Sequence, residues 1–353
     1  MRRALLGIAV VVVGVAIAGC STLGYYFQAF NGQMELSHKA RPIPDVIADS
    51  GTPPELRVKL TRVEAIREFA SHDLALPDNA SYRRYADLKR TYVVWNVFAA
   101  PEFSVVPKEW CFPIAGCVGY RGYFSESGAD EFAGSLRKER YDVYVGGVPA
   151  YSTLGWFDDP VLNTFIQYPE TEIARLIFHE LAHQVAYAPG DSTFNESFAV
   201  TVELEGVKRW LAKNGTPEQQ AAFEAGQVRK REFAQLVTEY HGRLASIYAA
   251  TGTDEEKRAA KARTFQEMRA DYARLKQSWG GFVGYDWWFG QPLNNAQIAS
   301  VAIYTQLVAN FQKLLAENGG DLTVFYVQVN KLAKLSKKDR QERLAAEAPA
   351  SGA

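Results

Sequence analysis

The sequence predicts an α+β protein, a small mixed sheet with an active-site helix followed by a mostly α-helical C-terminal part. Three observations predict it. His179-Glu180-Leu181-Ala182-His183 spells H-E-x-x-H within an apolar stripe at helical spacing. Several β-branched and aromatic runs lie upstream, between Tyr92 and Phe157. From Leu211 onward, apolar residues again recur at helical spacing.

Residues 1–20 read as a targeting segment: Arg2 and Arg3, an apolar run from Leu5 to Ile17, then Ala18-Gly19-Cys20. The run is short for a membrane span. Its end resembles a bacterial lipobox, which implies that Cys20 is lipidated and becomes the first residue; an uncleaved anchor is the alternative. Ser21, rather than Asp, follows the pattern of lipoproteins sorted to the outer membrane. The expected location is therefore the bacterial envelope, lipid-anchored at the outer membrane and facing the periplasm. Cys111 and Cys117 remain as a pair, expected to be bridged in an oxidising compartment or else to be two buried thiols.

Residues 21–53 are too aromatic for a disordered linker and are expected to pack as a tether on the domain. Residues 54–212 form the α+β catalytic part. Helices are expected over Leu56 to Phe69, from Asp78 to Lys89 and from Gly128 to Arg140. Strands are expected over Tyr92 to Ala99, Phe103 to Val106, Val118 to Phe124 and Tyr141 to Gly147. Ala150 to Phe157 is a candidate edge strand that could pair with an extended peptide, or a plain structural strand. Arg121 is a candidate partner for a substrate carboxylate or for a structural ion pair.

Pro169, Glu170 and Glu172 suit the start of the motif helix, and Pro189-Gly190 its end. On that helix His179 and His183 share one face and aim two imidazoles at one point. After Asp191-Ser192-Thr193 a second helical pattern carries Glu196 in its first turn. An antiparallel return completes a His₂Glu set, which suits catalytic Zn²⁺ with one position open to water. Glu180, one step round the helix, is placed to take a proton from that water. Glu203 is placed to orient a histidine or to form a surface ion pair.

His179-Glu-Leu-Ala-His-Gln184 followed by Asn195-Glu-Ser-Phe-Ala199 resembles the H-E-L-A-H-Q … N-E-x-F-A signature of gluzincin zinc aminopeptidases. With the lipoprotein start and the Trp/Gly-rich stretch near residue 285, the whole chain resembles a family of predicted bacterial zinc aminopeptidase lipoproteins. The resemblance implies a zincin-like metallopeptidase fold, His179, His183 and Glu196 as ligands, and Glu180 as general base. It also implies an oxyanion donor downstream of the third ligand: Tyr285 first, with Tyr304 and His241 as the other candidates. The chain departs from the large aminopeptidases in three ways. The gap from His183 to Glu196 is shorter, a G-x-M-E-N segment is missing, and Val200 stands where thermolysin-like relatives have Asp.

Residues 213–335 read as a helical part. Thr216-Pro217-Glu218 opens one long helix and Thr253 with Glu256 the next, giving an antiparallel hairpin. The glycine- and tryptophan-rich stretch 279–295 is expected to return as a loop lining the cleft. Helices from about Asn295 to Phe311 and Asp321 to Lys334 follow, and 336–353 reads as a charged, fraying tail. A formal net charge of −1 leaves no nucleic-acid footprint. The partners expected are a peptide or protein substrate, and the membrane through lipidated Cys20. Zinc-dependent aminopeptidase action is the leading function. An envelope endopeptidase and a non-catalytic envelope lipoprotein with a structural metal are the alternatives.

Overall fold

The computed structural model describes residues 23–112, 116–302 and 306–346. Cys20, Tyr304 and residues 347–353 lie outside these. Helix α1 (23–39) leads into β1 (Arg41–Pro42) and α2 (Ile43–Ala48), then α3 (Pro54–His72) and β2 (Arg84–Ala86). Next come β3 (Val94–Pro101), β4 (Trp110–Phe112), β5 (Gly116–Val118), β6 (Arg121–Tyr123), α4 (Glu126–Lys138), β7 (Tyr141–Val148) and β8 (Val161–Leu162). The rest is helical: α5 (Glu170–Val185), α6 (Ser192–Asn214), α7 (Pro217–Ala249), α8 (Asp254–Ser278) and α9 (Asp286–Gly290). After these come α10 (Asn295–Ala302), α11 (Val308–Glu317), α12 (Leu322–Ala333) and α13 (Lys337–Ala346). The protein is mixed α and β, mostly helical, with small sheets.

Among the described residues there are three small sheets in place of one mixed sheet. They have the orders β1-β2-β8, β6-β3-β7 and β4-β5. The second is antiparallel throughout, and β3 is its centre. Alternation along β3 explains how it is covered on both sides. Trp95, Val97 and Ala99 meet α4, whereas Phe98 and Ala100 meet Ala296 of α10. The outer edge of β6 is capped by a side chain: Gln28 Nε2 donates to Gly122 O and Phe124 N donates to Gln28 Oε1. Cys111 and Cys117 are disulfide-bonded across the β4–β5 ribbon.

The largest core joins α3, α5, α6, α11 and α12. Gly206 lets α6 pass close to α5, since a Cβ there would lie 2.7 Å from the Phe178 ring. A second core holds α7, α8 and α9 together. Both long helices of this hairpin start with full capping boxes, Thr216/Gln219 and Thr253/Glu256. Among the described residues, the core residues fall between Leu36 and Leu344, all of which a chain beginning at Ser21 retains.

Four expectations fail for identifiable reasons. Residues 78–89 are not a helix. The buried guanidinium of Arg67 collects the carbonyls of Pro77, Asn79 and Ser81, which a helix would use internally. Residues 103–106 form a turn rather than a strand, closed by Ser104 N on Pro101 O at 3.1 Å. Residues 150–157 are not a strand either. The Asp159 carboxylate takes Thr153 N at 2.9 Å and Thr153 Oγ1 at 2.8 Å, and Leu154 and Gly155 have positive φ.

The fourth is the fraying tail, whose residues 337–346 are helix α13. Arg340, 5% exposed, pairs with buried Asp191 and lies over the Phe194 ring. Asp191 in turn caps α6 through Phe194 N. Arg340→Ala therefore leaves a buried carboxylate unpaired, and it is expected to cost about 3 kcal/mol in denaturant unfolding.

Candidate functional site

Helix α5 presents His179 and His183 one turn apart, with their Nε2 atoms 3.2 Å from each other. The short link to α6 is held by Asn195, whose side chain accepts from Ala188 N at 2.7 Å and donates to Ala188 O at 2.9 Å. This clamp sets Glu196 against the two imidazoles. Its Oε2 lies 3.2 Å from His179 Nε2 and 3.7 Å from His183 Nε2. A tetrahedral cation bound at about 2.0–2.1 Å separates its ligand atoms by roughly 3.4 Å. The three observed separations bracket that value, so these residues could hold one metal ion.

Supporting groups orient the cluster. His179 Nδ1 is 2.9 Å from Glu203 Oε2, which leaves Nε2 to face Glu196 and His183. Glu203 is buried and also takes Arg175 Nη1 at 2.9 Å; Arg175 continues to Glu172, and Glu172 to Lys230 of α7. The surface ion-pair alternative for Glu203 is thereby removed. Burial pushes the Glu203 carboxyl up, but Arg175 and His179 outweigh it and hold it down to about 2. His183 Nδ1 is buried and has no hydrogen-bond partner among the described residues. Gln184 ties the helix to the loop before β2 through Asn79 and Ser81.

Glu203→Gln keeps the volume and loses the charge that fixes the His179 ring. It is expected to weaken metal affinity by about 10–100-fold, read by competition with a chromophoric chelator, and to lower the melting temperature because Arg175 loses a buried partner.

Glu180 is partly exposed to a cavity of about 2070 Å³ that also contains the three clustered residues. Burial holds its carboxyl above the usual range, against the pull of His179 and His183. Asp159, also buried, is pushed up to about 7 by burial, with Glu180 contributing. Tyr120 lines the same cavity between β5 and β6. Burial, then the nearby carboxylates of Glu196 and Glu180, raise its phenol well above the ordinary value. Tyr187 is likewise raised by burial and Glu196.

Tyr285 sits elsewhere in the cavity wall. Its ring stacks on Phe233 at 4.2 Å, and its charged neighbours are Arg229 and Glu172 rather than the clustered residues. The stretch 279–295 mainly covers the α7–α8 hairpin, burying Trp288 and Phe289. His241 is engaged by the Val105 backbone. Arg121 is not aimed at the cluster; its guanidinium lies over Tyr25 at 4.1 Å and Phe132 at 4.7 Å. Sequence reasoning missed Tyr120 because it is remote in sequence from the motif and joins it only through the fold. The glycine-rich V-G-Y-R-G-Y run was its one visible signal.

A family model described as Putative aminopeptidase matches residues 24–344. No curated protein and no solved structure matches the chain.

Proposed function

We propose, from the premise that the chain belongs to the Putative aminopeptidase family, that it is a zincin-like, zinc-dependent aminopeptidase carried by a lipid anchor at Cys20. The lipidated terminus would hold it at the outer membrane, facing the periplasm. The observation that carries the catalytic reading is the convergence of His179 Nε2, His183 Nε2 and Glu196 Oε2 at tetrahedral spacing beside a cavity-facing Glu180. Zn²⁺ in this site supplies Lewis-acid polarisation of the scissile carbonyl and acidifies a water molecule.

The chain's own groups do the rest. Glu180 receives the proton of the attacking water on its carboxylate and delivers it to the leaving amine; its raised pKa suits both transfers. Glu203 holds the His179 ring in the tautomer protonated at Nδ1. Tyr120, rather than Tyr285, donates its hydroxyl to the developing oxyanion. Tyr120→Phe is expected to lower kcat by about 10²–10³-fold with KM little changed, whereas Tyr285→Phe leaves kcat near the wild-type value.

The aminopeptidase reading is tested by comparing peptides with free and with N-acetylated termini. Cleavage confined to the free peptides is expected. Cleavage of blocked peptides at internal bonds would make the protein an endopeptidase, and zinc-loaded protein that cleaves neither would contradict the reading.

A further inference from the structure

Helix α1 has two opposed faces. Tyr25, Gln28, Gly32 and Leu36 recur at helical spacing and face the domain. Tyr25 lies under Arg121, Gln28 caps the β6 edge, Leu36 is in the core, and Gly32 meets the Phe124 ring so closely that a Cβ would clash. Leu23, Tyr26, Phe27 and Phe30 form the opposite stripe. Leu23 is 70% exposed, Phe27 67% and Phe30 60%. Across the cavity, the 150–157 loop presents Trp156 at 69% exposure together with Phe157. Tyr26, Phe30, Trp156 and Phe157 all line the cavity that contains the metal-ligand cluster. Its mouth is therefore rimmed by exposed aromatics from two separate elements, each firmly tied to the domain.

We infer that this rim is a membrane-docking surface that seats the mouth of the cavity on a phospholipid bilayer. Two points select the bilayer as the occupant, the first resting on the lipid anchor proposed at Cys20. Leu23 follows Cys20 by three residues, a reach of at most about 10 Å. An anchor at Cys20 therefore holds the first turn of α1 within the depth at which amphipathic helices lie in the interface. The side chains are those that settle at a membrane–water boundary, with Trp and Tyr beside Phe and Leu. No described helix is long and apolar enough to cross a membrane. The consequence for the proposed peptidase is that its substrates are peptide segments lying at the membrane surface. The docking itself goes beyond the peptidase reading and stands whether or not the metal site turns over peptide.

The test is flotation of the chain from Ser21 to Ala353, which lacks Cys20 and so carries no lipid. Vesicles of phosphatidylethanolamine with phosphatidylglycerol are the probe, at high salt to suppress nonspecific charge effects. The unlipidated chain is expected to float with the vesicles. The double variant Phe27→Ser/Phe30→Ser is expected to lose binding by about tenfold or more, and Trp156→Ser/Phe157→Ser by a similar factor. Because all four positions are exposed, melting temperature should stay at the wild-type value, and Phe27→Trp should retain binding. A chain that stays unbound, or variants that float as well as wild type while remaining folded, would overturn the inference. Failure of peptide hydrolysis would not touch it.

Discussion

Glu180→Gln is expected to lower peptide turnover by about 10²–10⁴-fold while leaving bound zinc unchanged. The carboxamide fills the same space beside His179 and His183 but carries no proton in either direction. Glu180 is not one of the three converging ligand groups, so metal affinity has no reason to fall. The measurement is kcat together with metal content on the same preparation. Loss of both would make Glu180 a ligand; loss of neither would remove it from the chemistry and favour a metal of purely structural use.

The second large effect is expected at His183. Structural zinc sites contribute apparent free energies of about 10–16 kcal/mol over four ligands, or roughly 3 kcal/mol for each. His183→Ala is therefore expected to weaken zinc binding by at least about 10²-fold and to abolish turnover at stoichiometric zinc. His183 touches the cluster only at Nε2, and its Nδ1 makes no described bond, so the substitution should disturb the fold less than loss of Glu203 would. Titration with a competing chelator, beside a thermal melt, separates the two effects.

Much of the site was legible because its parts are local. The two histidines are four residues apart on one helix. The third group follows a short link, and Glu203 is two turns further along the same helix. Periodicity alone places all of these on facing surfaces of α5 and α6. What was misread depends on contacts between distant residues. The helix expected at 78–89 is undone by Arg67, an interior cation that competes for its carbonyls. The tail becomes α13 because Arg340 finds Asp191, 149 residues away. Ala150 to Phe157 has the composition of a strand, yet Asp159 bends it into a loop. The same dependence on distant contacts left Tyr120 unmarked in the sequence. Glycines beside Tyr285 suggest close approach to a cleft, but the aromatic residues of α7 and α8 claim that stretch for a second core, while Tyr120, between β5 and β6, lines the cavity near Glu196 and Glu180.

The most direct test of the zinc-site reading is X-ray absorption at the zinc edge of the zinc-loaded protein. Two imidazole nitrogens and one carboxylate oxygen at about 2.0–2.2 Å are expected, with a light atom in the remaining position and no sulfur. An all-oxygen shell without imidazole scattering, or failure of the protein to retain zinc at all, would contradict the assignment of His179, His183 and Glu196 as its ligands.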